Sequence, residues 1–326
     1  MIAQRDIFFD TLFEYAKEDK DVYLIAADCG AKSLDRWRDE LPDQFIYTGI
    51  SEQHTINFAA GLASEGKKVY VYFMACWVAR CFEQIRYSCA MAKNNITIVG
   101  TSVGLGYHPA GPAHEPTEDL AYMRSLCGLE IHSPSNNNMT KSLVDLTYQE
   151  PKLRYVRLER TQPQGFENLY NSTDNHFIEG GIFSVRETAN NSNDDLAKHL
   201  SNRNKSVMIL SSGYMLEKAN NLYKMMSNTG YSVALVDAWK LPINYDNLKS
   251  ISENYDTLVT IEEQSLNGGF GSAICEAVCD MDLNKKVVRL GLPNKYIFDN
   301  GSRNHILETN GFDTSDMYES VIGRLK

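Results

Sequence analysis

The carboxylate of Glu52 lies in YTGISEQHTINFAAGLASEG (47–66), where a buried-type strand runs directly into a helix. That puts it near a helix N-terminus and at the C-terminal end of a strand, the edge at which open α/β sheets bind ligands. Two readings are open: a carboxylate that only complements the helix dipole, or one that acts on a ligand at that edge. Trp77, in ACWVARCFEQ, stands at the next strand-to-helix junction, where core packing alone explains an indole poorly. Phe73 precedes it on VYVYFM, where plain strand core is an equal reading, and Arg80 follows it. His108 and His114 share the Gly/Pro-rich stretch LGYHPAGPAH (105–114). A lone histidine is usually packed or solvated, but two in one loop at a ligand-binding edge point to a site. Asp28 and Lys32 follow the first strand in AADCGAKSLDRW, and Arg160 ends YVRLERTQP. Their plain readings are a helix cap, a solvated lysine and a salt bridge.

These residues need a scaffold, and the sequence supplies a repeating one. Continuous apolar runs at 22–27, 45–50, 69–74, 96–101, 129–133 and 153–158 read as strands buried on both faces. Helices fit between them at 33–40, 52–65, 77–92, 118–127 and 136–149. The alternation predicts a parallel, doubly wound sheet. From about residue 169 the chain turns polar and Asn-rich, and 169–205 reads as a linker with at most one short hairpin. A second α/β pattern follows, with strands at 207–210, 232–238, 257–263 and 286–292 and helices at 214–228, 246–254, 270–280 and 314–325. The expected fold class is α/β with two doubly wound domains, 1–168 and 206–326, joined by that linker.

Composition narrows the classes. The 326 residues carry a formal net charge of −10 with no basic stripe, which argues against nucleic acid as a partner. No run approaches the ~18 apolar residues of a membrane span, and MIAQRDIFFD lacks the charged start and apolar core of a signal peptide. The seven cysteines form no Cys-x-x-Cys pair, so they read as reduced thiols rather than zinc ligands. A cytoplasmic protein is expected.

Four collinear segments carry a family resemblance over nearly the whole chain. GISEQHTINFAAGLA resembles the matching segment of 1-deoxyxylulose-5-phosphate synthases and the G-x-x-E-H segment of transketolases. AGPAHEPTEDLAYMRSL (110–126) resembles the transketolase D-G-P-T-H-Q-P loop and its following helix. LVTIEEQSLNGGFGSAICEAV (258–278) and RLGLPNKYIFDNG (289–301) resemble the C-terminal domain of both enzymes. The chain is thus similar to the pyrimidine-binding and C-terminal half of a split, transketolase-like thiamine diphosphate enzyme.

The resemblance implies roles for individual residues. Glu52 would hydrogen-bond the aminopyrimidine of thiamine diphosphate and so promote loss of the thiazolium C2 proton. Such a carboxyl suits a poorly solvated pocket. Trp77 falls where the family stacks a phenylalanine on that ring, with Phe73 and Arg80 beside it. Arg80 matches an arginine of the deoxyxylulose synthases but an aromatic of the transketolases. Asp28 would approach the thiazolium side. His114 would contact substrate oxygens, as both catalytic and substrate-binding residue, with His108 as a second substrate group. Arg160 would hold an acceptor phosphate, where bidentate pairing is strong. Lys32 replaces a serine with the same task.

Two departures limit the resemblance. Ala110 stands where the family's aspartate reads the donor hydroxyl beside the reacting carbonyl, and losing such a partner relaxes discrimination. Ser102 stands near a phosphate-binding arginine of the deoxyxylulose synthases. There is also no G-D-G triplet, the start of the family's motif for diphosphate and its Mg²⁺ or similar divalent metal. LNGGFGSA (266–273) is no substitute; Gly268, Gly269 and Gly271 read as a tight turn with close helix approach. A separate diphosphate-binding subunit is therefore expected, in an α2β2 heterotetramer, with this chain inactive alone. The expected activity is ketol transfer between sugars or sugar phosphates. The alternatives are an acyloin-forming or decarboxylating enzyme using a 2-oxo acid, and a non-catalytic partner on the same fold.

Overall fold

In a computed structural model, residues 2–27, 30–160, 166, 181–187 and 206–325 are described. The apolar runs become β1 (Val22–Ala26), β2 (Phe45–Tyr47), β3 (Lys68–Met74), β4 (Ile96–Thr101), β5 (Glu130–His132) and β6 (Arg154–Leu158). The second half adds β7 (Phe183–Glu187), β8 (Ser206–Ser211), β9 (Ser232–Asp237), β10 (Lys240–Leu241), β11 (Thr257–Ser265) and β12 (Lys286–Leu292). The first sheet runs β10-β5-β6-β4-β3-β1-β2 and the second β12-β11-β8-β9-β7. All pairings are parallel except β10 on β5 and β7 on β9. The chain is therefore α/β with two doubly wound sheets.

Period two along each strand explains the layering. Val71 and Phe73 of β3 join the core made with helix Glu52–Ser64 and the segment after β3. Tyr70 and Tyr72 join the opposite core, built on helices Gln4–Glu18, Ser33–Glu40 and Asn137–Gln149. Helix Gln4–Glu18 lies outside the strand-and-helix alternation expected above, although Phe8, Phe9, Leu12, Phe13 and Ala16 repeat at helical spacing and are buried. The helix expected at 77–92 changes pitch along its length: a 3₁₀ stretch Ala75–Cys81, a turn Phe82–Gln84 and a π stretch Ile85–Met91. The helix expected at 118–127 is shorter, Asp119–Met123.

One short strand extends the second sheet and another ties the halves together. β7 falls inside the stretch 169–205 expected to be a linker, yet it forms the antiparallel edge of the second sheet. β10, which follows β9, crosses to the first sheet and pairs Lys240 with His132. At the Gly-rich turn after β11, the buried Glu262 carboxylate accepts hydrogen bonds from the backbone N–H groups of Phe270 and Gly271 (2.6 and 2.7 Å). A Cβ on Gly269 would lie 2.2 Å from a Glu262 oxygen, so the turn needs glycine there. Among the described residues no helix is long and apolar enough to cross a membrane.

β1 pairs with β2 on one side and β3 on the other. The chain therefore winds outward in both directions from the β1/β3 boundary. The carboxyl ends of these strands form the topological switch point at which a ligand crevice is expected.

Candidate functional site

Glu52 is the first residue of helix Glu52–Ser64 and only 2 % exposed. Ser51 fixes the turn that delivers it by donating from Oγ to the Thr48 carbonyl (2.7 Å), while Thr48 and Thr55 hydroxyls meet at 2.6 Å. Among the described residues, the hydrogen bond to the Glu52 side chain comes from Arg80 Nη1, at 2.9 Å from Oε2. Arg80 itself is 46 % exposed and lies over the Trp77 indole, 4.8 Å from its centroid. The expected poorly solvated pocket is thus only half formed: the carboxylate is buried, but its partner faces water.

A chain of flat groups continues from Trp77. Its ring meets His114 edge-on at 5.3 Å, His114 meets Tyr107 at 5.8 Å, and the Arg160 guanidinium lies 4.6 Å from the Tyr107 centroid. The structure therefore brings Glu52, Arg80, Trp77, His114 and Arg160 into one continuous wall. His108 and His114 lie on two successive 3₁₀ turns, His108–Ala110 and Pro112–His114. Each has a buried Nδ1 without a hydrogen-bond partner among the described residues.

Arg160 closes a cleft of about 330 Å³ at the switch point, lined also by Arg5, Gly30, Met74, Ser102 and Tyr107. A second cleft of about 330 Å³ lies on its other side, between His108 and Asn304. Arg5 was missed in the sequence because it belongs to no strand end. Helix Gln4–Glu18 carries it to the cleft, where Asp6 binds its guanidinium at 3.0 and 3.2 Å. Tyr107, the link between Arg160 and His114, was missed as well; its adjacency to His108 in the loop was the available signal.

Three further residues were expected at the site. Phe73 is fully buried in the core that includes helix Glu52–Ser64 and against which Trp77 packs, so it presents no exposed surface beside Trp77. Lys32 is exposed just ahead of helix Ser33–Glu40 and does not line the Arg160 cleft. Asp28 lies outside the described residues.

The loop bearing the histidines is anchored behind by a buried ion pair. Arg157 donates to both oxygens of Asp119 (2.7 and 3.1 Å), and Tyr155 and the Leu120 N–H also donate to that carboxylate at 2.9 Å. The carboxyl of Glu115, next to His114, is pushed up to about 7 by burial and then by the nearby Glu263. Near Glu52 along the chain, the apolar Tyr47, Ile50 and Phe58 are exposed, Ile50 to 75 %, among the exposed polar Gln53, His54 and Asn57.

Comparison with known proteins agrees with this layout. Residues 1–164 match the transketolase pyrimidine-binding domain and residues 197–317 the transketolase C-terminal domain. The chain is 29% identical over 329 residues to one subunit of the apulose-4-phosphate transketolase of Phocaeicola vulgatus, covering 100% of this chain and 98% of that protein. It is 27% identical over 317 residues to the 1-deoxy-D-xylulose-5-phosphate synthase of Saccharophagus degradans, covering 97% of this chain but 45% of that one. Thus it spans nearly all of one relative and about half of the other. Among solved structures, a split-gene transketolase described as an inactive β4 tetramer superposes with a TM-score of 0.83 at 27% identity, over 100% of this chain and 99% of its own. A transketolase from Pichia stipitis shares the fold, with a TM-score of 0.75 at 15% identity over 99% of this chain and 46% of its own.

Proposed function

We propose a function from the premise that this chain belongs to the transketolase family, of which it carries the pyrimidine-binding and C-terminal domains. It is one subunit of a thiamine diphosphate-dependent transferase that moves a two-carbon ketol unit between sugars or sugar phosphates. A separate subunit holds the diphosphate and its divalent metal, in an α2β2 assembly. The observation that carries the reading is the unbroken wall from buried Glu52 through Trp77 and His114 to Arg160.

The residues present fit the cofactor's aminopyrimidine: a buried carboxylate with a single partner, beside an indole face. Thiamine diphosphate, when bound, supplies the carbon nucleophile and electron sink that let a bond beside a carbonyl break and re-form. Glu52 holds the proton shared with the aminopyrimidine ring nitrogen, and Arg80 bonds only its Oε2, which leaves Oε1 for that contact. Trp77 covers the ring and excludes water. His114, held between Trp77 and Tyr107, offers hydrogen bonds to substrate oxygens. Arg160 and Arg5 flank the cleft where an acceptor phosphate is bound. The exposed Tyr47, Ile50 and Phe58 beside Glu52 support a partner that covers this end.

Ala110 presents a methyl group where a donor-reading carboxylate is expected, so the donor range is the least constrained part of the reading. Xylulose 5-phosphate and apulose 4-phosphate, the latter taken from the relative's name, are the first donors to test.

The test is reconstitution with a diphosphate-binding subunit, thiamine diphosphate and Mg²⁺, assayed against ketose phosphates and pyruvate. Ketol transfer without CO₂ release is expected. Glu52→Gln should lower kcat by at least ~10²-fold while the melting temperature holds. Release of CO₂ from pyruvate, or near-normal turnover in Glu52→Gln, would overturn the assignment.

A further inference from the structure

The buried ion cluster between the two domains lies directly behind the acceptor cleft. Arg303, on the short helix Arg303–Leu307 of the second domain, is 7 % exposed. It donates from Nη1 and Nη2 to Glu159 (2.8 and 3.2 Å), and from Nε to Glu263 (2.9 Å), with a further bond from Nη2 to Glu263. Its guanidinium lies 3.7 Å from the centroid of the Tyr214 ring. Glu159 immediately precedes Arg160, and its own N–H is held by Gln4 Oε1 at 2.8 Å.

The same pair holds the loop on the other side of the cleft. Glu263 accepts from the backbone N–H of Leu105 at 3.3 Å, and Arg303 reaches the carbonyl of Val103 at 3.5 Å. From these two residues the loop is built: the N–H of Gly106 returns to the Val103 carbonyl and that of His108 to the Leu105 carbonyl. Gly104 is specific to this contact. Its φ is +54°, and a Cβ there would sit 2.3 Å from the Glu263 carboxyl carbon. Farther along, the Ser265 N–H of the second domain donates to the Thr117 carbonyl at 2.9 Å.

Resting on the reading of Arg160 as the acceptor-phosphate residue, we infer that Glu263 and Arg303 are positioning residues for the acceptor end of the site. The second domain sets the spacing between Arg160, on the end of β6, and Tyr107 and His108, on the loop. One guanidinium and one carboxylate grip both sides of the cleft from behind. The physical reason is rigidity: a fork-shaped cation between two carboxylates fixes both in orientation as well as distance. A cleft held this way meets a phosphate without first ordering its walls, which is where binding affinity is otherwise lost.

The experiment uses the full chain reconstituted with its diphosphate-binding partner. The quantities measured are KM for an aldose phosphate acceptor, KM for a ketose phosphate donor and for a non-phosphorylated ketose donor, kcat, and the inhibition constant of inorganic phosphate competing with the acceptor. Glu263→Gln removes a charge but leaves an oxygen for the Leu105 N–H. Arg303→Lys keeps a cation but loses the fork. Gly104→Ala pushes a methyl against Glu263 and leaves every charge in place, so it decides the matter if the charge variants do not fold. Acceptor KM, the phosphate constant and the KM of the phosphorylated donor should rise ~10-fold in the folded variants, with the KM of the non-phosphorylated donor and kcat within about twofold. Unchanged acceptor KM and phosphate constant would overturn the inference. So would an equal rise in the KM of the non-phosphorylated donor or an equal fall in kcat, which marks general packing. Arg160→Gln is the control. If it leaves the phosphate constant unchanged, the anion site itself is wrong; if it abolishes competition while Glu263→Gln and Arg303→Lys do not change it, only the positioning role fails.

Discussion

The two ends of the candidate site are built to different degrees. At the cofactor end, Glu52 is buried but its partner Arg80 is half exposed, and Tyr47, Ile50 and Phe58 stand in water. At the acceptor end, Arg160 follows a carboxylate that is locked by Arg303 from the second domain, and the opposite loop is tied to the same cluster. Among the described residues, the chain's own second domain braces the proposed acceptor end and makes no comparable contact at the proposed cofactor end. On the proposed function, the exposed Tyr47 of β2, Ile50 of the following turn and Phe58 of the helix lie where another chain would cover them. The contrast separates what this polypeptide supplies from what it awaits.

The largest expected effect tests whether the acceptor end is braced from within. Asp119 and Arg157 are both buried and bonded through two hydrogen bonds, and they anchor the far end of the histidine loop. Asp119→Ala leaves Arg157 as an unpaired buried charge, which costs about 3–5 kcal/mol. A denaturation midpoint measures the loss. Pairing it with Arg157→Met should recover part of the stability, since both charges are then gone. A single variant as stable as the parent would mean the loop is held by other contacts, and the contrast between the ends would weaken.

A smaller effect should be confined to the open end. Trp77→Ala removes the indole beside Glu52 and frees Arg80 from its ring. Thiamine diphosphate should then bind the reconstituted enzyme ~10-fold more weakly, as read by calorimetry, with competition by inorganic phosphate unchanged. If phosphate competition weakened equally, the ring wall would act as one unit and the two ends would not be separable.

How far this contrast could be read from the sequence follows from distance along the chain. The central strands were legible because burial on both faces leaves continuous apolar runs, as in β4, β8 and β9, whereas the edge strands β2 and β12 are buried only in part. Glu52 and Trp77 were legible because each sits at a strand-to-helix junction, a local signal. For Phe73 the sequence left strand core and ligand wall as equal readings, and its complete burial fits strand core. The brace had no local signal at all: Glu159, Glu263 and Arg303 are separated by 144 and 40 residues and meet only when the domains pack. β7 and β10 were hidden for a related reason, since they are short edge strands whose pairing partners, not their composition, make them strands.

The smallest effect concerns a carboxyl at the closed end. Glu115 is buried near Glu263, and burial first, then that neighbour, pushes its carboxyl from 4.5 up to about 7. Between these values the folded protein keeps a proton that the unfolded chain has lost. The unfolding free energy therefore falls as pH rises through this window, and the full cost is present above it. The gap corresponds to about 3 kcal/mol at most, and relaxation of the loop should reduce it to about 1–2 kcal/mol. Glu115→Gln removes the titrating group, so it should be more stable than the parent at pH 8, with the gap closing toward pH 4.5. Glu262, also raised to about 7 by burial, titrates in both proteins and cancels from the difference. Urea denaturation of parent and variant across that range measures the gap. A pH-independent difference would show that Glu115 is not desolvated behind the loop, and that the acceptor end is wetter than its packing against the second domain implies.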